Sequence, residues 1–405
     1  MDNDTSRNIR PASGASATRF SPFSSLPEPA RSRRQKFFDR AQASLAEDFS
    51  GISAGGVLAE GLFPIIISGV SVEPIVDAAN AFRTSLTREQ WSDVTFDIDD
   101  RAWRSWHNMH TFLMRHGSLL DELGPEQRSA ALRLIEASSS AAGYESARNV
   151  MKLNEHAGEI TGRPEDYREW YYWISLFGKP SLTEPWGWQI DGHHLIVNCF
   201  VWGDQMVMTP DFRGSEPVMA NSGKYAGTQV FHDEESRGLA FMNALASEQQ
   251  QQAVIGTELP RDVITTAQVD NLNLDYAGIR YDALTPPQQE RLLALIETYV
   301  GRIRPGHAEI RMDEVRQHMA ETCFGWIGDH GENSPFYYRI HSPVILIEFD
   351  HLPGIIWDNL NPTRDHIHTI VRTPNGNDYG RDLLRQHYEM HDHSHPHTHH
   401  RRGLS

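Results

Sequence analysis

The rhythm of apolar and polar positions changes near the middle of the chain. In the first half, apolar residues recur at three- and four-residue spacing, as in helices with one buried face. The spacing predicts helices over 34–45, 72–86, 101–116, 125–138, 142–160 and 163–176. Two places carry start signals. Leu123-Gly124-Pro125-Glu126 puts proline at a first helical position, where its missing N–H costs nothing. Thr87-Arg88-Glu89-Gln90, just before Trp91, fits a capping box.

After Phe177 the period falls to two. Residues 188–202 alternate and end in apolar β-formers, Gly203-Asp204-Gln205 allows a turn, and 206–209 can return as a hairpin. Residues 337–349 and 367–373 also read as strands, while 212–230, with Gly and Pro at intervals, read as loop. Helical spacing returns at 234–253, 286–301 and 382–390, the second opened by Leu284-Thr285-Pro286-Pro287. Helices first, then strands interrupted by helices, predict an α+β fold. An N-terminal helical region packs on a mainly antiparallel β-sheet with inserted helices. One globular domain is expected over 34–390, helical over 34–176 and sheet-containing over 177–390. A disordered arm, 1–33, and a disordered His-rich tail, 391–405, flank it. The arm's Arg and Ser content suits a mitochondrial presequence, but Asp2 and Asp4 break that pattern.

Composition narrows the function. Hydrophobic residues make up 39% and aromatics 10%, enough for a substantial core. A formal charge of −17 argues against a nucleic-acid binder, which needs a basic stripe, and against docking on anionic lipid. Two cysteines, Cys199 and Cys323, make neither a disulfide framework nor a Cys-rich zinc site; they suit a reducing, cytoplasmic setting. The longest apolar stretch, Gly61 to Val72, falls short of the roughly 18–20 residues of a spanning helix. No zincin, EF-hand, P-loop, dinucleotide or G-x-S-x-G motif is present.

Candidate chemistry lies in histidines and carboxylates on predicted strands. His366 and His368 project to one face by strand parity, as do Glu348 and Asp350. His193 and His194 would point to opposite faces, so only one serves a given site unless the chain bulges after Gly192. Two imidazoles on one strand, one from another and a carboxylate from a third would hold a divalent metal: Zn, Fe or Mn. Glu348 is the expected ligand or general base, with Asp350 a second carboxylate. Arg339 and Arg372 could grip an anionic substrate group. Trp186, Trp188 and Trp326 read as core. Asp378 could cap the last helix or orient a histidine, and His387 on that helix could reach the same centre.

Three readings follow. The first is a metal-dependent hydrolase of a small organic substrate, with a non-haem iron oxidoreductase or oxygenase as its close alternative. The second is a non-catalytic metal- or ligand-binding protein loaded by the His-rich tail. The third leaves these residues as partners that merely satisfy the sheet.

Four blocks together resemble the motif set of the domain-of-unknown-function 3500 family. They are Pro185-Trp186-Gly187-Trp188 through Gly192-His193-His194, Tyr337-Tyr338-Arg339-Ile340 with Glu348, His366-Ile367-His368, and Asp378-Tyr379-Gly380-Arg381-Asp382. The resemblance spans Ala79 to His391. It implies that the motifs form one design and, the family being functionally uncharacterised, implies no substrate.

Overall fold

The computed structural model describes residues 30–109 and 116–390. The expected tail and the first 29 residues of the expected arm lie outside the described residues. The helices are α1 (Ala30–Ala46), α2 (Glu73–Ser85), α3 (Arg88–Val94), α4 (Pro125–Ser138), α5 (Ala141–Thr161), α6 (His232–Asn243), α7 (Ser247–Ala253), α8 (Pro286–Val300), α9 (His307–Gln317) and α10 (Arg381–Met390). The strands are β1 (Thr95–Phe96), β2 (Ser118–Leu119), β3 (Tyr172–Gly178), β4 (Trp186–Gly192), β5 (Leu195–Trp202), β6 (Gln205–Val207), β7 (Asp211–Ser215), β8 (Ile279–Arg280), β9 (Cys323–Gly328), β10 (Phe336–His341), β11 (Leu346–His351) and β12 (Ile367–Arg372). All join one sheet in the order β1-β3-β4-β5-β7-β12-β11-β10-β9-β8, with β2 beside β3 and β6 beside β5. Among these strands of the described residues, β1 and β3 alone pair in parallel. The fold is α+β, with N-terminal helices packed on a mostly antiparallel sheet.

The local signals act as their chemistry requires. Thr87 Oγ1 accepts the Gln90 N–H at 3.2 Å while Gln90 Oε1 accepts the Thr87 N–H at 3.0 Å, closing the capping box of α3. Pro125 and Pro286 open α4 and α8. Gly162, at φ +67°, ends α5 in the left-handed region open to glycine.

Other segments differ from the sequence reading. The helix expected over 101–116 is one 3-10 turn, Arg101–Arg104, followed by irregular chain to Met109; 110–115 lie outside the described residues. Here tertiary burial outweighs helical spacing. Trp103 stacks on Phe177 with centroids 3.8 Å apart, and Trp106 Nε1 donates to Tyr379 Oη at 2.8 Å. The helix expected over 163–176 is replaced by a turn and β3, because Gly162 and Pro164 stop α5 and the aromatic run that follows suits a strand. The loop expected over 212–230 contains most of β7, a central strand. The spacing also missed α9 and β9.

Register sorts the sheet into two unlike faces. One carries Ile174, Trp188, Val197, Ile347, Tyr338 and Trp326, and packs with α2, α4, α5, α6, α8 and α9 into the main apolar core. The other carries Gln189, Asn198, His368, Arg372, Glu348 and Arg339, all buried. Irregular segments roof this second face, including 259–275. No helix among the described residues is long and apolar enough to cross a membrane. Cys199 and Cys323 are unpaired and buried.

Candidate metal centre

β12 lies between β7 and β11, and its parity puts His366 and His368 on the polar face. Across from His368 on β7 stands Gly214. A Cβ there would lie 2.6 Å from His368 Cδ2 and 3.1 Å from His194 Cδ2, so the glycine makes room for both rings.

His194 arrives by a route the strand reading did not foresee. Gly192 pairs with Leu195, so His193 and His194 are the two-residue turn between β4 and β5 rather than alternating strand positions. His194 takes φ +64°, in the left-handed region. Its carbonyl accepts the Gly214 N–H at 2.8 Å, tying the turn to β7. Gly192 is needed there: a Cβ would meet the Tyr172 ring at 2.3 Å.

Three buried imidazoles meet as a result. His366 Nε2 lies 3.0 Å from His368 Nε2 and 3.3 Å from His194 Nε2, and one ligand nitrogen from each ring lies within 4.8 Å of the other two. Proton placement explains what this means. His366 Nδ1 is 2.7 Å from Pro353 O, a pure acceptor, so Nδ1 carries the hydrogen. His368 Nδ1 is 2.7 Å from Asp262 Oδ1, so it too is the donor. Burial, reinforced by His368, holds His366 down to about 3, leaving it neutral. With each Nδ1–H donated away from the group, the two Nε2 atoms face each other at 3.0 Å. Two imidazole nitrogens at that distance need a shared cation, a proton or a metal ion. Metal–nitrogen bonds of about 2.0–2.1 Å in a tetrahedral set put nitrogens roughly 3.3–3.4 Å apart, close to the spacings found. The cluster can chelate a metal.

Each imidazole on β12 is aimed by a loop. Asp262, which sequence reasoning missed, also accepts the Val263 N–H at 2.8 Å and the Thr266 hydroxyl at 3.2 Å. Burial pushes its carboxyl up, but His368 and the Val263 N–H bring it below the usual range. An isolated Asp in irregular chain has no spacing signal, and Pro353 acts through its backbone, so neither was visible in a pattern.

The other expected site residues are placed as follows. His193 Nδ1 donates to Asn154 Oδ1, 2.7 Å away, and the ring stacks on His194 at 3.9 Å; it buttresses the centre rather than joining the three nitrogens. Glu348 is fully buried, and its two oxygens accept from Ile264 N at 2.7 Å, Thr265 N at 2.9 Å, the Thr265 hydroxyl and Tyr337 Oη at 2.6 Å. With its lone pairs so engaged, it is an anchor for the Asp262 loop and stands outside the histidine group. Asp350 pairs in register with His368, is fully buried, and has no hydrogen-bond partner on either oxygen. Burial, then Asp262 and Glu348, push its carboxyl well up.

Arg372 donates from Nε and Nη2 to Thr265 O, from Nη2 to Thr266 O, and from Nη1 to Asp270 and Asp378. It has no donor left for a substrate. Arg339 donates to Asp275 O at 3.2 Å and leaves Nε unpartnered. Asp378 accepts the Thr373 N–H at 2.7 Å and pairs with Arg372, not with a histidine; burial foremost pushes it up to about 6. His387 packs on Trp202, at the end of β5 remote from His194. Trp186, Trp188 and Trp326 are core. A cavity of about 330 Å³, bounded by Phe63, Met206, Ile310 and Thr373, is lined by none of the three histidines.

The model of the family described as "Protein of unknown function (DUF3500)" matches residues 68–381, and the chain belongs to that family. No curated protein and no solved structure matches it.

Proposed function

We propose that this member of the DUF3500 family is a metal-dependent enzyme, in its simplest form a hydrolase of a small organic substrate, centred on His194, His366 and His368. One observation carries the reading: the Nε2 atoms of two buried imidazoles meet at 3.0 Å with a third 3.3 Å away, while both Nδ1–H groups on the first two rings are donated elsewhere. Three protein ligands leave a tetrahedral ion one position for water or substrate. A divalent ion bound there supplies Lewis acidity, lowering the pKa of water toward neutrality or polarising a carbonyl.

The protein's own part is arrangement. Asp262 and the Pro353 carbonyl fix the tautomer and tilt of His368 and His366, and Asn154 with His193 backs the His194 ring. The three-nitrogen group includes no carboxylate among the described residues. That favours the zinc-type hydrolytic version over the two-histidine, one-carboxylate iron arrangement of oxygenases. Unpaired Cys199 and Cys323 fit a reducing, cytoplasmic setting.

The test is elemental analysis of the chain lacking residues 391–405, purified without added metal. One equivalent of zinc is expected, lost on combining His366→Ala with His368→Ala. One equivalent of iron would turn the reading to oxidative chemistry. Metal that vanishes with the tail alone would favour a non-catalytic, tail-loaded protein, and trace metal of every kind would remove the centre altogether.

A further inference from the structure

Two buried glutamates flank the candidate centre, and neither is a ligand. We propose that Glu348 and Glu216 are positioning residues that set metal affinity through separate loops, Glu348 through Asp262 to His368 and Glu216 through Pro353 to His366. The proposal rests on the metal-centre reading and assigns the two arms that hold it.

The arms are built alike. Glu348 on β11 grips the consecutive amides of Ile264 and Thr265, at 2.7 and 2.9 Å, two and three residues beyond Asp262. Glu216, directly after β7, accepts the amides of Ile355, Ile356 and Trp357 at 2.9, 2.9 and 3.1 Å, two to four residues beyond Pro353. β11 and β7 are the two neighbours of β12, so one anchored loop rises on each side of the histidine strand. Each loop then presents one acceptor to one Nδ1–H, at 2.7 Å in both cases. A loop alone would hold such an acceptor loosely. A carboxylate bound to two or three successive amides removes that freedom, because charge-assisted bonds to backbone N–H groups are short and directional. Glu216 Oε2 itself stands 3.7 Å from His366 Nδ1, beyond hydrogen-bond distance, so it acts through the carbonyl. The two arms differ in charge at the contact. His368 meets a carboxylate and His366 a neutral carbonyl, which makes the Asp262 arm the stronger determinant of ligand basicity.

The coupling is testable because each glutamate acts through a named acceptor. Co²⁺ is titrated into the full-length chain against a chelating indicator, with the combined His366→Ala, His368→Ala chain giving the background of all other sites. Asp262→Ala is expected to weaken Co²⁺ by about 10–100-fold, and Glu348→Gln by roughly tenfold. Adding Glu348→Gln to Asp262→Ala should cost no more, since the acceptor it holds is gone. Adding Glu216→Gln to Asp262→Ala should multiply the losses, since the arms are separate. Independent, multiplying losses for Glu348 and Asp262, or unchanged affinity in Glu348→Gln, would overturn the proposal. If Glu348→Gln does not fold, Thr265→Val removes one of its donors and must show the same non-additivity at smaller size. A wild-type chain that binds no Co²⁺ above the background would instead sink the metal-centre reading itself.

Discussion

The two faces of the sheet hold the molecule together by different means. On one, Trp326 stacks on Phe336 with centroids 4.4 Å apart, within a continuous apolar core under helices. Burial needs no direction there, and volume is what matters. On the other, Arg372, Asp270, Asp378 and Glu348 are buried among irregular segments, and each contact depends on a specific donor and acceptor. Such a face is costly where its accounting is incomplete. It is also where chemistry can be held rigidly, and the three histidines lie on it. Helices secure the sheet on one side, while the loop-covered face is tied by charge around the three histidines.

The polar face is then structural as well as the place where the histidines meet. Arg372→Leu leaves Asp378 without its cation and Asp270 with Arg104 alone, and should cost about 3–5 kcal/mol, matching the about 3–5 kcal/mol expected for Trp326→Ala on the apolar face. Urea unfolding of both variants checks this, and a near-neutral Arg372→Leu would break the comparison. Gly214→Val should follow, at about 1–3 kcal/mol from overpacking, with metal content lost because the new side chain takes the space of the His194 and His368 rings.

His341 tests the face through pH. Burial, then Arg339, lowers it from 6.5 to about 3, and both ring nitrogens lack partners. The unfolded chain therefore takes up the proton first. Stability from this group is complete above pH 6.5 and is lost as pH falls toward 3. Between pH 6 and 4, His341→Leu should gain on wild type by about 1.4 kcal/mol per pH unit, as read from unfolding midpoints; parallel pH profiles would count against it. The smallest effect belongs far from the centre. Thr87→Ala should cost about 1 kcal/mol by opening the capping box of α3, with metal content unchanged.

What was legible in the chain divides along the same line. Helix starts at Thr87, Pro125 and Pro286 are local chemistry, and the structure keeps them. His366 and His368 were readable together because strand parity is also local. β7 was not, since Asp211-Phe212-Arg213-Gly214-Ser215 lacks a strand's apolar pattern and is ordered by its neighbours β5 and β12. His194 was visible as a residue but not in its geometry, which a turn with φ +64° sets. Glu348 looked like a ligand because its residue type fits one; only the four donors around it show how it is used. Asp262 and the Pro353 carbonyl carry no pattern and become visible only when distant loops fold over β12.

The central claim is that one ion sits among His194, His366 and His368. Anomalous diffraction from crystals of the native protein, collected on both sides of the absorption edge of the bound metal, locates that ion directly. The account predicts one strong peak about 2.0–2.2 Å from the three Nε2 atoms. No peak there, or a metal held only by other residues, would contradict it.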